Sequence, residues 1–364
     1  MVYHGILKIT RTLATKKQAL TCSTHRERMI VIPSTLKLQA DWQDQLAPYQ
    51  HADTKKSIMQ LINTFFPFLS LWALAYLSLS LSIWLAIPIA VIAAGFLIRL
   101  FIIFHDCTHQ SFFQTHQAND IVGIITGIFT FFPYDQWKYE HAVHHATSGN
   151  LDKRGVGDMW MLTVQEYNQL SPSQQRIYRI YRNPFVMLGI GPLYLFVLKN
   201  RRNRKKASRK ERINTHVTTF SRLALFVLLS VVFSWQKALL IEGIILYVAA
   251  AAGIWLFYVQ HQFDQSYFEK NNKWDFFRAA LEGSSFYQLP QPLQWITGNI
   301  GYHHVHHLGS KVPNYYLQQA HEHTDIFKNV PVITLSSSLR FLRFRLWDED
   351  QHRLVSFKEM YAQN

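Results

Sequence analysis

The sequence predicts an all-α polytopic membrane protein, with four transmembrane helices in two hairpins and a helical cap on the cytoplasmic side. Three observations carry that expectation. Two nearly uncharged blocks are each long enough to cross a bilayer twice, basic residues gather beside them, and histidines recur at helical spacing just beyond them. Average composition conceals this pattern: 49% hydrophobic residues and a mean hydropathy near zero would also suit a soluble chain.

Residues 1–57 read as a polar, basic amino-terminal arm without the continuous apolar core of a signal peptide. From Ile58 to Phe104 the only charge is Arg99. A span needs about 20 apolar residues, so this block predicts helices over 58–80 and 82–104, with the break near Ser78–Ser82. Two more spans are expected over 217–235 and 238–259, separated only by Gln236 and Lys237. Ile121–Pro133 and Pro184–Leu198 are too short to cross and read as interfacial or partly inserted helices. Arg99 is expected to snorkel to the headgroups.

The run Lys199–Arg212 (KNRRNRKKASRKER) holds nine basic residues directly before a span, which argues for the cytoplasmic side. Four spans then put both termini and the cap, 105–216 and 260–364, on that face. The formal charge of +14 fits nucleic acid or an anionic membrane. The apolar blocks decide for the membrane, so no nucleic-acid partner is expected. Cys22 and Cys107 are too few for a disulfide framework.

Three histidine clusters remain: His105 with His109, the run His141-Ala142-Val143-His144-His145, and His303-His304-Val305-His306-His307. On a helix, positions i, i+3 and i+4 share a face. His105 and His109 therefore point together, as do His141, His144 and His145, and again His303, His306 and His307. His261 follows the fourth span. A lone histidine is usually a surface or satisfied core residue, and His4, His25, His51, His116, His216 and His352 are read so. Eight or nine clustered imidazoles exceed what one ion uses, so the cap is expected to carry a di-metal site. Imidazole suits iron, zinc, copper and nickel alike. No HExxH, P-loop or dinucleotide fingerprint occurs, and Gly155-Val156-Gly157 is given no phosphate role.

The boxes and their flanks, RLFIIFHDCTHQSFF from Arg99, HAVHHATSGNLDKRGVGDMW from His141 and GNIGYHHVHHLGSKVPNYYL from Gly298, resemble the membrane fatty acid desaturase family. The likeness runs from about Ile58 to the end of the chain, so 58–364 is expected to form one desaturase domain. It is nearest to the bacterial acyl-lipid branch. The resemblance implies that His105, His109, His141, His144, His145, His303, His306 and His307 hold two iron ions, with His261 as the ninth ligand. It implies a reaction in which dioxygen is co-substrate and a cis double bond enters a lipid-linked acyl chain. With no HPGG-like cytochrome b5 segment, electrons are expected from ferredoxin, flavodoxin or a cytochrome, and the setting is a bacterial inner membrane. In the acyl-CoA branch an asparagine stands four residues before the extra histidine; here that position is Phe257.

His304 departs from the ligand face and is expected in a supporting or surface role. Asp106, Asp158 and Asn299 are candidates to orient ligand imidazoles or simply to cap helix ends. Cys107 lies too far round the helix from His105 to be a ligand. Two other readings fit the boxes: a di-iron hydroxylase, monooxygenase or carotenoid ketolase, and a histidine-rich metal transporter. Spans almost free of ionisable residues argue against the transporter.

Overall fold

The computed structural model describes residues 41–264 and 266–362. Most of the basic arm, with His4, His25 and Cys22, lies outside these residues. Two long helices come first, α1 (Thr54–Ser78) and α2 (Ile83–His109). Asp53 caps α1 by accepting from the Lys55 and Lys56 amides, and Ser82 caps α2 by accepting from that of Trp84. α3 (His116–Thr130) and α4 (Tyr134–Thr147) follow, then α5 (Pro172–Tyr181). A second long pair is α6 (Arg209–Phe233) and α7 (Trp235–His261), and the short α8 (His303–Leu308) and α9 (Asn314–His323) follow it.

Among the described residues four helices, α1, α2, α6 and α7, are long and apolar enough to cross a membrane. Half of the most apolar window of α2 is buried against 11% of that of α6, which makes α2 the centre of the bundle. It packs on α1, α3 and α7 through Ala90, Ala94, Leu97, Leu100 and Phe104. Phe66, Leu77, Phe220 and Val231 point outward and leave an apolar surface suited to lipid.

The break near Ser78–Ser82 falls where expected, but other boundaries move. α2 continues through His109, so the first histidine pair forms its last turn. α7 likewise ends on His261. α6 starts eight residues before Val217, secured by a capping box between Ser208 and Glu211. Gln236 and Lys237 belong to the first turn of α7, and Ser234 alone, at φ 85, separates it from α6. Ile121–Pro133 falls largely within α3. Pro184–Leu198 winds into two π-helical turns, Val186–Ile190 and Tyr194–Leu198, around Gly191–Leu193, and the whole bends 63° from α5.

The chain is mostly helical rather than all-α. Among the described residues five strands of two or three residues form two small sheets. β1 (Leu162–Thr163) runs parallel to β4 (Leu346–Asp348), which pairs antiparallel with β5 (Arg353–Val355). β2 (Phe286–Gln288) runs parallel to β3 (Val332–Thr334). Strands this short leave no readable alternation in the sequence.

Three buried charges, Arg99, Arg222 and Glu242, lie within the long helices. Arg99 does not snorkel; it is 7% exposed. Its Nε donates to Thr64 Oγ1 at 3.1 Å, its Nη1 donates to the Trp295 carbonyl, and the guanidinium lies 4.0 Å from the Trp295 ring centre. Glu242 of α7 pairs with Arg222 of α6 and accepts from Trp72 Nε1 and Tyr76 Oη of α1. Arg222 and Glu242 were hidden because each is a single charge in an otherwise apolar run. Removing one partner strands a buried charge, which costs about 3–5 kcal/mol. Glu242→Ala is therefore expected to lower thermal stability sharply in detergent, while Arg222→Met with Glu242→Met recovers most of the loss. Equal melting of Glu242→Ala and wild type would exclude a stabilising network.

Candidate metal centre

Four helices deliver the imidazoles. α2 contributes His105 and His109, α4 contributes His141, His144 and His145, α7 contributes His261, and α8 contributes His303, His306 and His307. One ring nitrogen from each of His105, His109, His141, His145 and His306 lies within 4.8 Å of the others. A second set, His144, His261 and His307, satisfies the same criterion. His303 joins the second set, with Nε2 2.9 Å from His261 Nε2 and 3.1 Å from His307 Nε2. All nine expected residues thus stand together in two adjoining groups.

The outer nitrogens show how the rings are held. His105 Nδ1 faces Asp106 Oδ1 at 2.9 Å, His144 Nδ1 faces Asp158 Oδ1, and His261 Nδ1 faces the Gly283 carbonyl at 3.1 Å. A ring donating from Nδ1 presents the Nε2 lone pair to the centre, as metal-binding histidines do. Asp106 is itself fixed, since its Oδ2 accepts from the backbone amide and Nδ2 of Asn314. Gly157, at φ +77, lets the loop press onto α4: a Cβ there would come within 2.7 Å of the Glu140 carbonyl and 2.9 Å of His144 Cβ. That approach brings Asp158 to His144. Asn299 instead donates to the Asn314 carbonyl.

The donor set fits metal ions. His109 Nε2 and His306 Nε2 are buried with no hydrogen-bond partner among the described residues, although such groups ordinarily find one. Lone pairs converge with too few protons between them, and a cation would satisfy them. Burial, and then neighbouring imidazoles, hold His141, His145, His303, His306 and His307 well below the usual histidine range. Neutral imidazole is the form that binds metal.

An apolar cavity of about 710 Å³ opens onto this centre. Leu97, Phe101 and Ile102 of α2, Ala249, Gly253 and Phe257 of α7, and Met187, Ile190 and Tyr194 wall it, and it ends on His105, His141 and His303. Trp137 also lines it, stacked on His141 with ring centres 4.1 Å apart. Sequence reasoning missed Trp137; its place one helical turn before His141 was the available signal. Phe257 packs its ring 5.1 Å from that of His144 and 5.2 Å from that of His261.

The remaining histidines separate cleanly. His51, His116, His216 and His352 are exposed and outside the centre. His304 is not a surface residue; it is fully buried, with Nε2 2.9 Å from His321 Nδ1 and its ring against Phe327. Cys107 is buried and absent from both groups.

Two measurements probe the centre. Asp158→Asn is expected to weaken metal retention by about 10–100-fold against a competing chelator, and unchanged retention would remove Asp158 from the support. The second concerns acid. The folded state keeps the five depressed imidazoles neutral, whereas unfolded histidines take up protons near pH 6.5. Stability of the metal-free protein is therefore fully present above that pH and falls as pH drops through it. Melting should move down between about pH 8 and about pH 5.5, and a flat profile would contradict the neutral cluster.

Comparison with known proteins agrees with this architecture. The fatty acid desaturase family model matches residues 82–332, more than half of the chain. A fatty acid desaturase of Bacillus subtilis (strain 168) is 56% identical over 314 residues, covering 86% of this chain and 89% of that protein. An sn-1 oleoyl-lipid 12-desaturase of Synechocystis sp. is 28% identical over 68% of this chain and 71% of its own length. An sn-1 acyl-lipid omega-3 desaturase (ferredoxin) of Nostoc sp. is 26% identical over 66% of this chain and 67% of its own. With four apolar helices and a convergent histidine centre, the chain belongs to the fatty acid desaturase family and is an integral-membrane oxidoreductase.

Proposed function

We propose that this enzyme inserts a cis double bond into a lipid-linked acyl chain in a dioxygen-dependent reaction. The observation that carries the reading is the apolar cavity of about 710 Å³, which opens against imidazoles of both groups. The reaction balances as CH2–CH2 plus O2, two electrons and two protons giving CH=CH and two waters. The electrons come from an external carrier such as ferredoxin, flavodoxin or a cytochrome. The acyl-lipid names of the Synechocystis and Nostoc relatives support a glycerolipid-borne substrate, and the ferredoxin in the second name supports that class of donor.

His105, His109, His141, His145 and His306 would hold one iron and His144, His261, His303 and His307 the other. The irons supply the oxidising power toward an unactivated C–H bond that no side chain possesses. Around them, Asp106, Asp158 and the Gly283 carbonyl orient the rings. Leu97, Phe101, Ala249 and Gly253 exclude water and hold the chain in register, so that one pair of carbons is presented. The nine basic residues of 199–212 support two hairpins crossing from a cytoplasmic cap, with both termini on that face of a bacterial inner membrane.

Expression in a bacterial host with mass spectrometry of total fatty acids tests the reading. A species two hydrogens lighter than a host acyl chain is expected, and one heavier by an oxygen would replace desaturation with hydroxylation. His306→Ala is expected to reduce the product to the empty-vector level while the protein still reaches the membrane fraction. An active variant would overturn the ligand assignment.

A further inference from the structure

The segment before α6 carries positive charge that the fold leaves unused. Within 199–212, Lys199 pairs with Glu140 at 3.5 Å, Arg204 with Glu211 at 2.7 Å and Lys210 with Asp135 at 2.9 Å. Arg202, Lys205, Lys206 and Arg209 are exposed, and none has an acidic partner among the described residues. A basic run beside a span ordinarily contacts anionic lipid, but its height argues otherwise. Arg209 begins α6 eight residues before the apolar stretch that opens at Val217, about 12 Å along the axis. The headgroup layer is about 5–8 Å deep on each side. On that count the backbone of Arg209 lies just beyond the headgroup layer, where an aqueous partner can reach its side chain.

The same segment lies along the outside of α4. The Arg204 guanidinium sits 3.8 Å from the Tyr139 ring centre, Gln136 Nε2 donates to the Arg202 carbonyl at 3.2 Å, and Lys210 reaches Asp135. Asp135 and Tyr139 lie on the opposite side of α4 from His141, His144 and His145. One helix, about 10–12 Å across with its side chains, thus separates the basic ledge from the centre. The apolar cavity is lined by α2, α7 and the inner face of α4 and touches Lys199 and Asn200 at the start of the basic run, but Arg202, Lys205, Lys206 and Arg209 do not line it, so a partner on those four leaves the acyl chain undisturbed.

We propose that the ledge formed by Arg202, Lys205, Lys206 and Arg209 docks the acidic redox protein that reduces the metal centre. The proposal rests on the desaturase reading above. Unpaired positive charge steers an acidic partner and speeds encounter, and the effect weakens with salt.

The test uses the full-length, metal-loaded enzyme in neutral-lipid nanodiscs with an acidic [2Fe–2S] ferredoxin and an acidic flavodoxin. Replacing all four residues with Gln is expected to weaken binding of the carrier that serves the enzyme by at least about tenfold at low salt. The KM for that carrier should rise by a similar factor, with kcat at saturating carrier unchanged. Turnover driven by dithionite should not change; its absence in wild type would strike the desaturase reading rather than the docking site. Arg202→Lys with Arg209→Lys keeps the charge and should bind as wild type, which separates docking from folding. Equal carrier binding by wild type and the Gln variant, or binding of neither carrier by wild type, overturns the proposal. A Gln variant that keeps carrier affinity but loses affinity for phosphatidylglycerol vesicles would reassign the ledge to lipid.

Discussion

Nine imidazoles converging on one pocket is the constraint on which the rest of the structure depends. Neutral rings brought this close have more lone pairs than protons to share, and an unsatisfied buried acceptor costs about 1–3 kcal/mol. Such a cluster persists only if the surrounding helices impose it or a cation satisfies it. The fold supplies the first: the carboxyl-terminal ends of α2, α4 and α7 and the whole of α8 meet where the apolar stretches stop. His109 Nε2 and His306 Nε2, buried without partners among the described residues, mark where the second is needed.

The helices are fixed to one another by polar contacts that only a buried setting makes strong. From His105 a chain of hydrogen bonds passes through Asp106 to Asn314, whose Oδ1 accepts from Gln60 Nε2 at 2.8 Å. One histidine is thereby tied to α1 and α9 as well as to its own helix. Six residues earlier on α2, Arg99 grips the Trp295 carbonyl, just ahead of the turn that delivers α8. Farther from the histidines, Glu242 joins α1, α6 and α7. Such networks are costly to bury and worth little as net stability, but they define one arrangement when every member is satisfied.

The histidine pattern was legible because it obeys the helical period. His141, His144 and His145 share a face whatever the helix packs against, and the same holds for His303, His306 and His307. Apolar length revealed the four long helices for a similar reason. What the pattern could not reveal depends on residues far apart in the chain. Asp158 reaches His144 only because Gly157 allows a loop to touch α4. The exposed-looking His304 is buried by Phe327 and His321, and the strands are too short to leave a period. Arg99 looked like a snorkelling residue because its partners, Thr64 and Trp295, lie 35 and 196 positions away.

The two sides of the centre differ in chemistry, and that difference bears on how one pocket can serve a fatty chain and an aqueous partner together. His105, His141 and His303 face the large apolar cavity. His144 and His261 also face a pocket of about 40 Å³ that includes Arg154, Asn150 and Asp158. His109 and His145 are only partly buried, and the Lys311 ammonium donates to the His109 carbonyl at 2.6 Å. The large cavity is mainly apolar, with Glu140, Asp158, Lys199 and Asn200 also in its lining, and the small pocket mixes Asn150, Arg154 and Asp158 with Met159, Met161 and Phe257. On the proposed reading, an acyl chain in the large cavity leaves the Lys311 side of the centre uncovered. α4 contributes to both histidine groups, its inner face lines the cavity and its outer face meets the basic segment, so its rotation would disturb both at once. α4 is held on its outer side by Arg204 and Lys210, and on its inner side its own Trp137 packs on Phe101, Phe104 and His105 of α2.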